Sequence, residues 1–207
     1  MTTQGSTHPH AHSNPKVDAV RRAQTRHTRR RKAVFGAVVA VLIAVVAAMM
    51  ASSRSTATTT AREAPGFTLT DTNGRTVSLA GLKGHPVVLF FSEGAGCGSC
   101  LQQMGSIEKD RASFDALGVT VLPIVMNTKE QILRDMNDYG VTTPFLLDDG
   151  KVSAAYGTLG KGMHAGLPGH AFVLIDKDGI QRWSGEYPSM FVPTADLLTQ
   201  VRKNLPA

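Results

Sequence analysis

The chain contains two cysteines, and they lie three residues apart in Cys97-Gly98-Ser99-Cys100, shortly after the apolar run Pro86-Val87-Val88-Leu89-Phe90-Phe91. A structural disulfide framework needs more cysteines spread along the chain. A closed zinc site normally takes four ligands, and two thiols without a partner pair do not supply them. The spacing points to a dithiol that cycles with its disulfide, the rival being a merely structural bridge. If the motif opens a helix, both sulfurs lie on one side of the first turn, close enough to join. The first cysteine then sits over free backbone N–H groups at the positive helix end, which favours its thiolate. Cys97 is therefore the expected nucleophile on a substrate disulfide, and Cys100 the resolving thiol that displaces it. Gly98-Ser99 adds neither charge nor a proline constraint, and the chemistry requires no cofactor and no metal.

The elements that must hold this pair are readable from pattern. Phe67–Leu69 and Thr76–Leu79 alternate around Asn73-Gly74, a hairpin signal. Val87–Phe91 is a short continuous apolar run, expected of a strand buried on both faces. A helix is predicted from Ser99 to Ala116, with Leu101, Met104, Ile107 and Phe114 on one side and Gly118 just past its end. Val119–Val125 follows as a strand, Lys129–Tyr139 as a helix and Phe145–Leu147 as a short extended segment. Ala171–Ile175 is a further strand, Asp178-Gly179 a turn and Ile180–Trp183 the antiparallel return. Pro193–Asn204 closes as a helix. Alternating strands and helices imply an α/β fold, a central mixed sheet covered by helices on both faces and preceded by a β-hairpin.

Ala64-Pro65-Gly66-Phe67, Val87–Phe91, the Cys-x-x-Cys, and Phe172-Val173-Leu174-Ile175-Asp176 with Asp178-Gly179 together resemble the redoxin branch of the thioredoxin superfamily over residues 64–205. That branch holds membrane-tethered thioredoxin-like reductases and peroxiredoxins of the AhpC/TSA type. The resemblance implies a thioredoxin fold and dithiol chemistry. Two departures stand out. Such reductases usually carry Trp before the first cysteine, whereas this chain has Gly96, in Glu93-Gly94-Ala95-Gly96. They also carry a cis-proline before the strand that faces the dithiol; that slot holds His170, with Pro168 two residues earlier. Either Pro168 takes the role through a shifted loop, or His170 replaces it and stabilises the thiolate or moves a proton. Glu93 is a candidate proton acceptor beside the cysteines or an exposed loop carboxylate. His85 and His164 read as surface residues, and Trp183, Tyr187 and Phe191 as core or rim packing.

The chain's +6 net charge is not spread evenly. Residues 1–32 hold Lys16, Arg21, Arg22, Arg26, Arg29, Arg30, Arg31 and Lys32 against one acid, Asp18, so the rest of the chain is slightly acidic. A nucleic-acid groove on the folded body is therefore not expected. Residues 33–51 are an uncharged run of about the length that spans a ~30 Å hydrocarbon core. The basic flank places residues 1–32 in the cytoplasm and the redoxin domain outside. The reading is a single-pass signal anchor in the cell membrane, the rival being a signal peptide cleaved near Ser55-Thr56-Ala57. Arg29-Arg30 lacks the apolar continuation of a twin-arginine signal, and no cysteine near the span could carry a lipid. Residues 1–32, with His8, His10 and His12, read as a disordered tail, and 52–63 as a Ser/Thr/Ala-rich tether to a domain at 64–207.

Three functions fit. The first is a tethered extracytoplasmic thiol-disulfide oxidoreductase, whose partners are a disulfide-containing protein substrate, a membrane or secreted thiol electron donor, and the lipid bilayer through 33–51. The second is a peroxiredoxin-like thiol peroxidase. In its Pro-x-x-x-Thr-x-x-Cys pattern Cys97 would occupy the Thr slot and Cys100 the peroxidatic one, without the Pro. The third is a copper-handling assembly factor using two cysteines and a histidine, although such proteins carry a Cys-x-x-x-Cys spacing.

Overall fold

The computed structural model describes residues 15–52, 55–59, 61–160 and 165–206. His8, His10, His12 and His164 lie outside the described residues. The chain divides into two compact units, Met1–Ser52 and Ser53–Ala207.

The first unit is helix α1, Pro15–Ser52. Its stretch Lys32–Met50 is 19 residues long with mean hydropathy 2.8 and no part of it buried, long and apolar enough to cross a membrane by length and composition. The helix also takes in residues 15–32, which the sequence reading left disordered. Ala, Arg, Gln and Lys there are good helix formers, and Pro15 starts the helix where no N–H partner is needed.

The second unit is one mixed sheet with helices packed on it. Its strands are β1 (Thr56–Thr58), β2 (Arg62–Glu63), β3 (Thr68–Asp71), β4 (Thr76–Ser78), β5 (Val87–Phe91), β6 (Thr120–Val125), β7 (Leu146–Leu147), β8 (Ala171–Ile175) and β9 (Ile180–Glu186). They run in the order β1-β9-β8-β5-β6-β7-β3-β4, with β2 also on β9. β5 lies parallel to β6 and antiparallel to β8. The helices are α2 (Gly98–Lys109), α3 (Arg111–Asp115), α4 (Lys129–Tyr139), α5 (Lys151–Ala155) and α6 (Thr194–Asn204).

β5 carries the core on both faces. Val88 and Phe90 join the cluster built with Leu101 and Met104 of α2, Phe114 of α3, Ile132 of α4 and Leu197 of α6. Val87, Leu89 and Phe91 join the opposite cluster with Phe67, Val173, Ile175, and Val152 of α5. A strand with no solvated face reads as an unbroken apolar run, which is why Val87–Phe91 does not alternate.

Three elements depart from expectation. The single helix over 99–116 is broken at Asp110, whose φ of −96° and ψ of 14° separate α2 from α3. α5 carried no sequence signal. It is short and is held by Asp148, whose carboxylate accepts the N–H groups of Val152 and Ser153. The 52–63 tether is partly sheet: Thr56, Ala57 and Thr58 pair with Glu186, Gly185 and Ser184, and Arg62 with Gln181. β9 would otherwise be an edge with unpaired backbone groups, and Thr-rich chain is suited to closing it. The folded unit thus begins before residue 64.

Candidate active site

The dithiol stands where β5 gives way to α2, and the loop between them, residues 92–97, is shaped by glycines. Gly94 has φ +69°, and a Cβ there would collide with the Asn127 side chain and with Val125. Gly96 has φ +89°. This is the left-handed region, which a Trp would occupy only under strain. The loop's backbone and the absence of a Trp at position 96 are thus consistent with each other. At Gly98 a Cβ would meet the Tyr139 hydroxyl, the tip of an exposed side chain that would have to move aside. Two side chains missed by the sequence reading tie the loop down. Asn127 Oδ1 accepts the Ala95 N–H at 2.8 Å, and Asp135 Oδ2 accepts the Gly96 N–H at 2.7 Å.

Cys97 is the N-cap of α2, and its sulfur accepts the Cys100 N–H at 3.3 Å. It is half-buried, whereas Cys100 is only 1% exposed. The two are joined as a disulfide with Cα atoms 5.3 Å apart. In this arrangement the positive end of helix α2 faces the more accessible sulfur.

Of the other sequence-selected residues, His170 meets the dithiol. It precedes β8, is 1% exposed, and holds Nδ1 3.8 Å from Cys100 Sγ. Its Nε2 lies 3.4 Å from Gln103 Oε1, and the ring packs edge-on against Phe90 and Phe172 at centroid distances of 4.9 and 5.7 Å. Burial in this pocket pushes its pKa down from 6.5 to about 4, so the ring is neutral at pH 7. Pro168 is buried but engaged elsewhere, bridging Leu159, while Gly169 N–H donates to Thr158 O at 2.7 Å. These contacts set the approach to β8, and His170 faces the Cys100 sulfur. No cis peptide bond occurs among the described residues. Glu93 is half-buried in the loop after β5. His85 is exposed and Trp183 is core. Tyr187 packs edge-on against Phe172 at 5.9 Å, and Phe191 is 39% exposed. With the cysteines joined, no group of three or more His, Cys, Asp or Glu side chains among the described residues is disposed to hold a metal ion.

Gln103 is the functional candidate that pattern reading overlooked. It is a fully buried polar side chain on α2, one turn beyond Cys100. Its signal was there: a Gln inside the apolar stripe of Leu101, Met104 and Ile107, three residues from a cysteine and so on the same helix face.

A mixed sheet with a helix-capping Cys-x-x-Cys at the end of its central strand defines a thioredoxin-fold redoxin. The AhpC/TSA family matches residues 60–184, and the chain belongs to that family. A Mycobacterium tuberculosis protein assigned as a peroxiredoxin is 30% identical over 122 residues, covering 56% of this chain and 78% of that one. The thiol-disulfide oxidoreductase ResA of Bacillus subtilis is 35% identical over 96 residues, covering 45% of this chain and 53% of its own. The crystal structure of the peroxidoxin BcpB from Mycobacterium tuberculosis superposes with a TM-score of 0.60 at 21% identity. It covers 70% of this chain and 97% of that one, a likeness of fold. The relatives are oxidoreductases of two kinds, peroxiredoxins and a thiol-disulfide oxidoreductase.

Proposed function

We propose that this protein is a membrane-tethered thiol-disulfide oxidoreductase working outside the cytoplasm, with Cys97 as attacking and Cys100 as resolving thiol. The observation that carries the reading is the unequal burial of one joined cysteine pair at a helix N-terminus. A partly exposed Cys97 can reach a substrate disulfide, while a buried Cys100 can reach only Cys97. The Cys97 thiolate attacks one sulfur of the substrate disulfide and the other substrate sulfur leaves with the electron pair. Cys100 then displaces the second substrate thiol, so two substrate thiols form as the Cys97–Cys100 disulfide closes. A membrane or secreted thiol donor returns the pair to the dithiol.

Tethering is supported by the apolar helix at Lys32–Met50 and by the excess of basic residues on its N-terminal side, eight Lys and Arg in residues 1–32 against Arg54 and Arg62 in residues 51–63. On this reading residues 1–32 are cytoplasmic, and protease added outside intact cells removes the redoxin domain while sparing the tail. The full chain in detergent should reduce insulin disulfides when supplied with dithiol. Cys97→Ser abolishes that activity, and Cys100→Ser accumulates a mixed disulfide on Cys97. Retained activity in Cys97→Ser, with loss in Cys100→Ser, would reverse the assignment. Family membership supports a second reading, thiol peroxidase. It requires peroxide to reach Cys100, the peroxidatic slot, and is favoured if the same preparation consumes peroxide faster than it reduces insulin.

A further inference from the structure

The orientation of one buried amide determines which nitrogen of His170 faces Cys100. The backbone N–H of Val192 can only donate, and it meets Gln103 Oε1 at 2.7 Å. The oxygen end of that amide is therefore assigned by the backbone. The same oxygen is 3.4 Å from His170 Nε2, and an oxygen can only accept, so Nε2 carries the ring proton. Nδ1 is left with its lone pair directed at Cys100 Sγ, 3.8 Å away. The amide's other end, Gln103 Nε2, is buried with no hydrogen-bond partner among the described residues. An amide kept buried at that cost is one whose oxygen is needed.

Resting on the oxidoreductase reading, we propose that Gln103 is a positioning residue that holds His170 as its Nε2–H tautomer, so that Nδ1 takes the thiol proton of Cys100 in the resolving step. Cys100 is 1% exposed, so solvent does not readily collect that proton. In the mixed disulfide, the Cys100 proton passes to Nδ1 and the ring becomes imidazolium with Gln103 Oε1 still accepting from Nε2. The thiolate attacks Cys97 Sγ, the bond between Cys97 and the substrate sulfur breaks, and the substrate thiolate leaves with the electron pair. The proton on Nδ1 follows it, restoring the neutral ring. The groups facing the ring are the Cys100 sulfur from α2, the neutral Gln103 amide, and the Phe90 and Phe172 rings from β5 and β8. Burial already keeps the ring neutral and able to accept. The developing thiolate raises its basicity as charge separates.

The test uses the full chain in detergent micelles with 15N-labelled histidine, the His170 signals being identified by their loss in His170→Asn. The oxidised wild type should show Nε2 protonated and Nδ1 bare, and Gln103→Leu should shift His170 toward the Nδ1–H form. In the reduced chain, dithiobis-nitrobenzoate releases chromophore in two phases, Cys97 attack and then Cys100 resolution. Gln103→Leu should slow the second phase about tenfold relative to the first, and His170→Asn about 100-fold. The wild-type second phase should vary little from pH 6 to 8, while that of Gln103→Leu should rise with pH. Gln103→Glu keeps an acceptor for both N–H groups and should restore the second phase to within about threefold of wild type. A wild-type Nδ1–H tautomer, an unchanged second phase in Gln103→Leu, or equal slowing of both phases overturns the proposal. If Gln103→Leu does not fold, the wild-type tautomer and Gln103→Glu still decide it. Inactivity toward insulin with the tautomer as described defeats only the oxidoreductase reading, while activity with the reversed tautomer defeats only the role of Gln103.

Discussion

The two sulfurs of one disulfide sit in opposite surroundings. Cys97 belongs to a loop held from outside, by backbone N–H bonds to Asn127 and Asp135 and by glycines at 94 and 96 in the left-handed region. Cys100 belongs to a buried polar chain running from Val192 N–H through Gln103 to His170, walled by aromatic rings. On the Cys97 side, the surroundings are backbone geometry, a cap position and a helix end. On the Cys100 side they are side chains brought together by tertiary packing. Under the proposed function, this separates the group that meets substrate from the group that waits for it.

Several measurements can break or sharpen that contrast. The largest effect is expected at Cys97: Cys97→Ser should lower disulfide reduction at least about 1000-fold, equivalent to about 4 kcal/mol of barrier. Cys100→Ser should leave the initial attack detectable in a single turnover by mass spectrometry of the trapped adduct. Next comes Gly94→Ala. The left-handed φ and the clash with Asn127 and Val125 should together cost about 3 kcal/mol of stability in denaturant unfolding. An unchanged midpoint there would mean that the loop is not held as described.

On the buried side the expected signature is pH dependence. His170 has a folded pKa near 4 against 6.5 unfolded, so between those values the unfolded chain binds the extra proton. Stability therefore rises with pH across that window, is fully present above 6.5 and is lost as pH falls toward 4. The full difference is about 3 kcal/mol. Unfolding of the oxidised chain at pH 7 and pH 4.5, compared with His170→Asn, should show a clearly shallower slope in the variant. The smallest effect is expected at the loop's outer ties. Asn127→Ala should cost about 1 kcal/mol and change the rate of Cys97 alkylation by only a few fold while leaving Cys100 resolution alone. A larger effect on resolution than on alkylation would erase the division between the two sides.

How legible these parts were in the sequence follows the same division. β5, α2, the β3–β4 hairpin and α4 are local patterns: an apolar run, a helical stripe, an Asn-Gly turn, and a Thr128/Gln131 capping box ended by Gly140 in the left-handed region. The break at Asp110 was not readable, because the apolar positions continue across it into Phe114. β1 and β2 were hidden in a segment whose composition reads as linker, since an edge strand is defined by its partner rather than by its own apolar residues.

The sequence by itself determined the dithiol, the strand–helix junction that puts Cys97 at the N-terminus of α2, and a 19-residue stretch able to cross a bilayer. Each depends on neighbours in the chain, through spacing, helix polarity and continuous hydrophobic length. Only the tertiary structure put His170 beside Cys100, set Gln103 behind the ring and turned its oxygen toward Val192. Those partners lie 70 residues from Cys100 and 89 from Gln103, where no periodicity reaches. They meet because β8 packs beside β5 and the segment after β9 returns over α2. A buried polar group must find its partner wherever the fold has left one.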